Sequence, residues 1–128
     1  MPALAATAPH LPRLVPIDSF GKGGFRFAGI SHRGSLLCLP SGIWAWPVAR
    51  AADIDEAALT QAFDAAADIG LLLIGTGQTP WHLPAPLQMR FHTLKISVEV
   101  MRTGTAVSTY NILLGEGRRV ASALIAVD

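Results

Sequence analysis

Residues 101–124, MRTGTAVSTYNILLGEGRRVASAL, decide the fold class. They read as a strand end, a helix start, a helix, a glycine-marked turn and a last buried strand. Thr103 can cap the helix, and Ala106, Val107, Tyr110, Leu113 and Leu114 form its buried stripe. Gly115 and Gly117 end it. Residues 120–127 supply the strand. Thr103, Gly104, Thr105, Ser108, Thr109 and Asn111 crowd a helix that needs only an apolar stripe, which places hydroxyls and backbone donors at one rim of a sheet.

Upstream, the same alternation continues. Residues 71–74 are a fully apolar strand, as expected where both faces are covered. Pro84 or Pro86 opens a helix carried on by Leu87, Arg90, Phe91 and Leu94. Ile96, Val98 and Val100 alternate with Ser97 and Glu99. Residues 53–68 hold Ile54, Ala58, Leu59, Ala62, Phe63 and Ala66 at helical spacing, with Asp53 and Glu56 placed like a capping box. Before residue 50 the pattern is β-rich: Phe25-Arg26-Phe27, the run 35–39, and Ile43-Trp44-Ala45-Trp46 after a Ser41-Gly42 turn. Gly21, Gly23 and Gly24 break the chain ahead of it. Trp44 and Trp46 fall on one strand face, which is either core or a partner surface, core being the favoured reading. The sum is an α/β layered domain, to which the hairpins of the N-terminal half add a small antiparallel β portion.

The 128 residues fit one domain, here 17–128, behind a flexible leader over 1–16 that is rich in alanine and proline. The formal charge of +1 gives no basic field for a phosphate backbone, so nucleic acid is not an expected partner. Cys38, the only cysteine, excludes an internal disulfide and sits in an apolar run, a structural thiol. No stretch reaches the ~18 apolar residues of a membrane span, and the start lacks a signal-peptide pattern.

The chemistry-bearing candidates are sparse. Gly75-Thr76-Gly77 follows a buried strand and is read first as a tight strand exit, with a loop that brings backbone N–H groups to a ligand as the alternative. Pro80 occupies the place of the third glycine of a dinucleotide fingerprint, and no Walker loop occurs. His10, His32, His82 and His92 show no metal-ligand spacing; His82, beside Trp81 and after the Gly75 loop, is kept as a possible acid or base. Ser108 is not in a nucleophile elbow. Asp64 and Asp68 mark a solvated face. Glu116, Arg118 and Arg119 form either a surface ion pair or an anchor that reaches a helix end or a carboxylate near the Gly75 loop. Asn111, in mid-helix, needs partners for its amide if buried. The expected rim is Gly75, Thr76, Gly77, Thr103, Asn111, Glu116 and Arg118. No catalytic residue, metal or cofactor is expected.

Leu72-Leu73-Ile74-Gly75-Thr76-Gly77, then Met101-Arg102-Thr103, Ala106, Thr109-Tyr110-Asn111-Ile112-Leu113 and Glu116-Gly117-Arg118-Arg119-Val120 carry a resemblance. Gly34-Ser35-Leu36 and Trp44 also fit. Over 17–125 the chain resembles the small domain shared by the third mitochondrial complex I assembly factor, the adipogenesis-associated Mth-type protein and many uncharacterised bacterial and archaeal proteins. Arg102 stands where that family often has an acid, and Val107-Ser108 where it often has Cys-Arg or similar. The resemblance implies a three-layer α/β/α fold with a mixed central sheet, no established enzymatic activity, and a protein partner such as a respiratory complex I or other membrane-complex subunit. The lone cysteine and the missing signal-peptide pattern place the chain in the cytoplasm, and the resemblance leaves peripheral contact with the inner membrane open. The alternative is a small-ligand or anion-binding domain, conceivably an enzyme, built on the Gly75 loop and the Thr103 helix start.

Overall fold

Strands β1 (Ser19–Gly21), β2 (Gly24–Phe27) and β3 (Ile30–Arg33) form an antiparallel sheet in that order. Both hairpin turns have two residues at positive φ: Lys22 at 53° with Gly23 at 80°, and Ala28 at 49° with Gly29 at 77°. That is the type I′ geometry whose twist matches the flanking strands. The glycines at 21, 23 and 24 marked the first turn in the sequence; Ala28 concealed the second. This computed structural model describes residues 8–128.

The larger sheet contains β4 (Ser35–Leu39), β5 (Gly42–Trp46), β6 (Leu71–Gly75), β7 (Ser97–Met101) and β8 (Val120–Leu124), in the order β5-β4-β8-β6-β7. β4 pairs antiparallel with β5 and β8, while β6 pairs parallel with β7 and β8. β4 and β8 are buried at every position, which is why both read as unbroken runs of small or apolar residues. Helix α2 (Ala85–Thr93) connects β6 to β7 and packs Leu87 and Phe91 over Leu72 and Ile74 on one face. Helix α3 (Thr103–Gly115) connects β7 to β8 and packs Ala106, Val107 and Tyr110 against Leu73 and Leu124 on the other. Phe25 and Phe27 of the small sheet complete that second layer. The layered α/β architecture with its antiparallel portion is as the alternation of elements indicates, and the three layers around a mixed sheet are as the resemblance implies.

The single helix expected over 53–68 is not formed. The chain makes 3₁₀ turns at Ala51–Asp53, Ala57–Leu59 and Ala66–Asp68, with a five-residue helix α1 (Thr60–Asp64) between the last two. The buried anchors explain the breaks. Ile54, Leu59, Phe63 and Ile69 all face the core, and at 100° per residue one straight helix cannot point four residues so spaced in the same direction. The capping carboxylate is Asp55, whose Oδ1 accepts the Ala58 N–H at 2.8 Å; Asp53 instead meets Arg50 at 3.5 Å. Trp46 is buried and donates Nε1–H to the Ala58 carbonyl at 2.8 Å, tying β5 to this segment. Trp44 is half-buried against the same cluster.

Of the expected leader, residues 1–7 lie outside the described residues. Residues 8–16 run along the body. His10 N–H donates to the Ile43 carbonyl at 2.8 Å and Ile43 N–H to the Leu11 carbonyl at 3.0 Å, which covers part of the outer edge of β5. Leu11, Leu14 and Val15 pack on the α3-side core. Cys38 is fully buried, and burial pushes its thiol up to about 11, so it is an unreactive part of that core.

His10 and His32 link this segment to β3. His32 Nε2 lies 3.0 Å from the Ser35 carbonyl, which can only accept, so Nε2 carries the proton. Neutral His32 then accepts at Nδ1 from His10 Nε2–H, 2.9 Å away. Burial holds His32 below its ordinary value of 6.5, opposed by the Ser35 carbonyl and reinforced by His10. A depressed histidine value means that the unfolded chain takes the proton first, so stability rises with pH through this window. The urea midpoint should therefore fall as pH drops through about 6.5, and His32→Gln should flatten that slope.

Candidate functional site

Three stretches distant in sequence meet at the C-terminal end of the parallel strands. β6 ends at Gly75, α3 begins at Thr103, and β8 passes into Ile125. Thr103 is the first helical residue, not the cap; Arg102 precedes the helix in extended conformation and makes no side-chain cap bond. The Thr103 hydroxyl is fully buried and does something else. It accepts the Gly77 N–H at 2.9 Å and donates to the Ile125 carbonyl at 2.7 Å. Thr103 N–H bonds the Gly77 carbonyl at 3.0 Å, and Ile125 N–H bonds the Gly75 carbonyl at 2.9 Å. Thr76, also buried, sends its hydroxyl toward the Thr79 and Met101 carbonyls at 3.0 and 3.3 Å. Gly75 is required by close approach: a Cβ there would stand 2.9 Å from Thr103 Cα. Gly77 is required by its φ of +81°.

The other expected rim residues lie elsewhere. Asn111 is two turns along α3, where Oδ1 accepts the Ile17 N–H and Nδ2 donates to the Ile17 carbonyl, both at 2.8 Å. Its amide imitates a strand neighbour for the incoming chain. Tyr110 adds a bond from its hydroxyl to the Val15 carbonyl at 2.8 Å, and burial keeps that phenol protonated well above its usual range.

Glu116 and Arg118 sit at the far end of α3, some 20 Å from Thr103 for a 13-residue helix. The sheet register agrees: Val120 pairs with Leu71 at one end of β6, while Leu124 pairs with Gly75 at the other. Glu116 and Arg118 are exposed and form no ion pair among the described residues. Instead the helix closes through its backbone. Gly117 at φ +75° lets its own N–H reach the Leu114 carbonyl, and Arg118 N–H reaches the Leu113 carbonyl, each at 3.0 Å. This is the Schellman arrangement, which needs glycine at that place and no charge. Arg119 reaches the Ala67 carbonyl at 3.3 Å, again away from the Gly75 loop. The rim assembled from the sequence thus divides: Gly75, Thr76, Gly77 and Thr103 come together, and Asn111, Glu116 and Arg118 do not join them.

Beside the junction lies a cleft of about 610 Å³, lined by residues 49–52, 76–81 and 125–128. It opens at the carboxyl ends of β6 and β8, where the chain leaves β6 toward α2 and runs on past β8. Open α/β sheets place ligands outside the carboxyl ends of their strands. Arg50, Gln78, Thr79 and Trp81 bring the polar and aromatic side chains. His82 is exposed and outside the lining. Trp81 was visible in sequence only as a neighbour of the glycine loop; nothing in the pattern pointed to Arg50, which arrives after β5. Among the described residues no group of three or more His, Cys, Asp or Glu is placed to hold a metal ion.

A family model described as a protein of unknown function (DUF498/DUF598) matches residues 17–125. An uncharacterized protein of Rhodobacter capsulatus is 38% identical over 122 residues, covering 95% of this chain and 93% of that protein. The NADH dehydrogenase (ubiquinone) 1 alpha subcomplex assembly factor 3 of Mus musculus is 32% identical over 116 residues, 91% of this chain, which spans 63% of the mouse protein's length. Among solved structures, one described as an outer membrane protein from Bartonella henselae superposes with a TM-score of 0.89 at 42% identity, covering 93% of this chain and all of that one (100%). A Bordetella pertussis protein described as a Mth938-like domain gives 0.76 at 31% identity, covering 97% and 92%. The likeness carried by the Gly-Thr-Gly loop and the Thr-Tyr-Asn helix is therefore a true kinship.

The geometry separates a cap from a buried tie. Thr103→Val keeps the shape and removes the hydroxyl, leaving the Gly77 N–H and the Ile125 carbonyl without partners. Urea denaturation should show a loss of about 3 kcal/mol, from two buried groups at about 1–3 each, against about 1 for a lost cap. Thr103→Ser should retain most of the stability.

Proposed function

We propose that this chain, which belongs to the DUF498/DUF598 family of unknown function, is a non-catalytic docking module that holds a protein partner during assembly of a respiratory membrane complex. One observation carries the reading. Four polar side chains on or beside α3, those of Thr76, Thr103, Tyr110 and Asn111, are engaged with backbone groups, so they stiffen a scaffold. The assembly-factor name of the mouse relative supports the same direction. The contact surface is the mouth of the cleft, where Thr76 and Gly77 meet Arg50, Gln78 and Trp81. Among the described residues no helix is long and apolar enough to cross a membrane, and the module works from the aqueous side, touching the inner membrane through its partner.

Affinity capture at native expression tests this. The wild-type chain should recover subunits of a respiratory or other membrane complex, and Trp81→Ala with Arg50→Glu should lose them. Recovery of no such protein overturns the reading. The cleft volume favours a second reading, a small ligand or anion held at the Gly75 loop. A thermal-shift screen with nucleotides, flavins and carboxylates separates the two. A ligand present at a hundred times its dissociation constant stabilises by about 3 kcal/mol, and no shift across the screen leaves docking alone.

A further inference from the structure

The two edges of the large sheet are treated differently. At β5 the chain's own Leu11 bridges Ile43. At β7 no described residue plays that part. Ser97 N–H bonds the Gly70 carbonyl, and the Met101 carbonyl accepts the Thr76 N–H. In a parallel ladder this parity turns residues 97, 99 and 101 toward β6, and the N–H and C=O of Val98 and Val100 outward. β7 carries neither proline nor lysine, and its one charge is Glu99 at the centre of the strand.

From this open edge we propose that β7 receives an extended segment of a different protein, with lysine or arginine opposite Glu99 and apolar residues on either side. A second copy of this chain is the wrong occupant. The register that pairs every outward group of two such edges sets Val98 against Val100 and Glu99 against Glu99. Like charges directly opposite destabilise a strand pair. Glu99 is exposed, and no described cation stands within 4.0 Å of its carboxylate. Arg118 and Arg119 border the same face but precede β8, two strands away from β7, and neither is paired with Glu99. On the opposite face, Val98 and Met89, the latter 70% exposed, line a shallow groove between β7 and α2 that suits the flanking apolar residues. Backbone bonds would supply the affinity and the alternating side chains the choice. The inference rests on the docking reading but uses a surface separate from the cleft.

The test uses the full chain and two synthetic peptides with valine at alternate positions, one with a central lysine and one with a central glutamate. The lysine peptide should slow amide exchange at Val98 and Val100 and bind about tenfold more tightly than the glutamate peptide. Glu99→Lys should reverse that preference; if this variant does not fold, Glu99→Gln should abolish it. Slowing elsewhere, slowing by neither peptide, or an unchanged preference in the variant overturns the edge reading. Capture by Glu99→Lys that equals wild type defeats the edge and leaves docking standing. A wild-type chain that captures nothing, while the peptide pattern holds, defeats docking and leaves the edge standing.

Discussion

The Thr103 hydroxyl is the point on which the upper end of the molecule depends. One oxygen, fully buried, joins the exit of β6 to the exit of β8 at the start of the helix between β7 and β8. The contact exists because Gly75 has no Cβ to hold Thr103 away. Two residue choices, 28 positions apart, therefore act as one. The glycine permits the approach, and the threonine satisfies the backbone groups that the approach removes from water. The adjoining cleft inherits its shape from this junction, because Thr76 and Gly77 form part of its wall.

Along α3, polar residues fix different parts of the chain in turn. Thr103 holds the loops at the top. Tyr110 and Asn111 hold residues 15–17, turning an unpaired stretch into an edge with a surrogate neighbour. Gly117 closes the bottom. The helix carries no charged residue between 103 and 115, which fits a member that is a core element on one side and a clasp for loops on the other.

Local periodicity was enough for β6, β7, α3 and β8, because each is long enough for its buried face to repeat. It was enough for the meeting of Gly75 and Thr103, since consecutive parallel strands must end on the same side. It failed where direction is set by distant anchors. The alanine-rich run 53–68 scans as one helix, yet Ile54, Leu59, Phe63 and Ile69 demand separate turns. Arg118 reads as a binding residue because arginine so often binds anions; here its backbone closes a helix at the opposite end from the loop it was paired with. The partner of Asn111 lies 94 residues away, beyond any local signal.

The strand order has a consequence for how the polypeptide is made. β8 lies at the centre of the sheet, between β4 and β6, yet it is the last of the eight described strands. A nascent chain leaving the ribosome carries β4 and β5 as a lone hairpin and β6 and β7 as a separate pair, with no shared neighbour until Leu124 has emerged. Their apolar faces wait uncovered through that interval, which exposes them to misassociation and makes them natural clients of a chaperone.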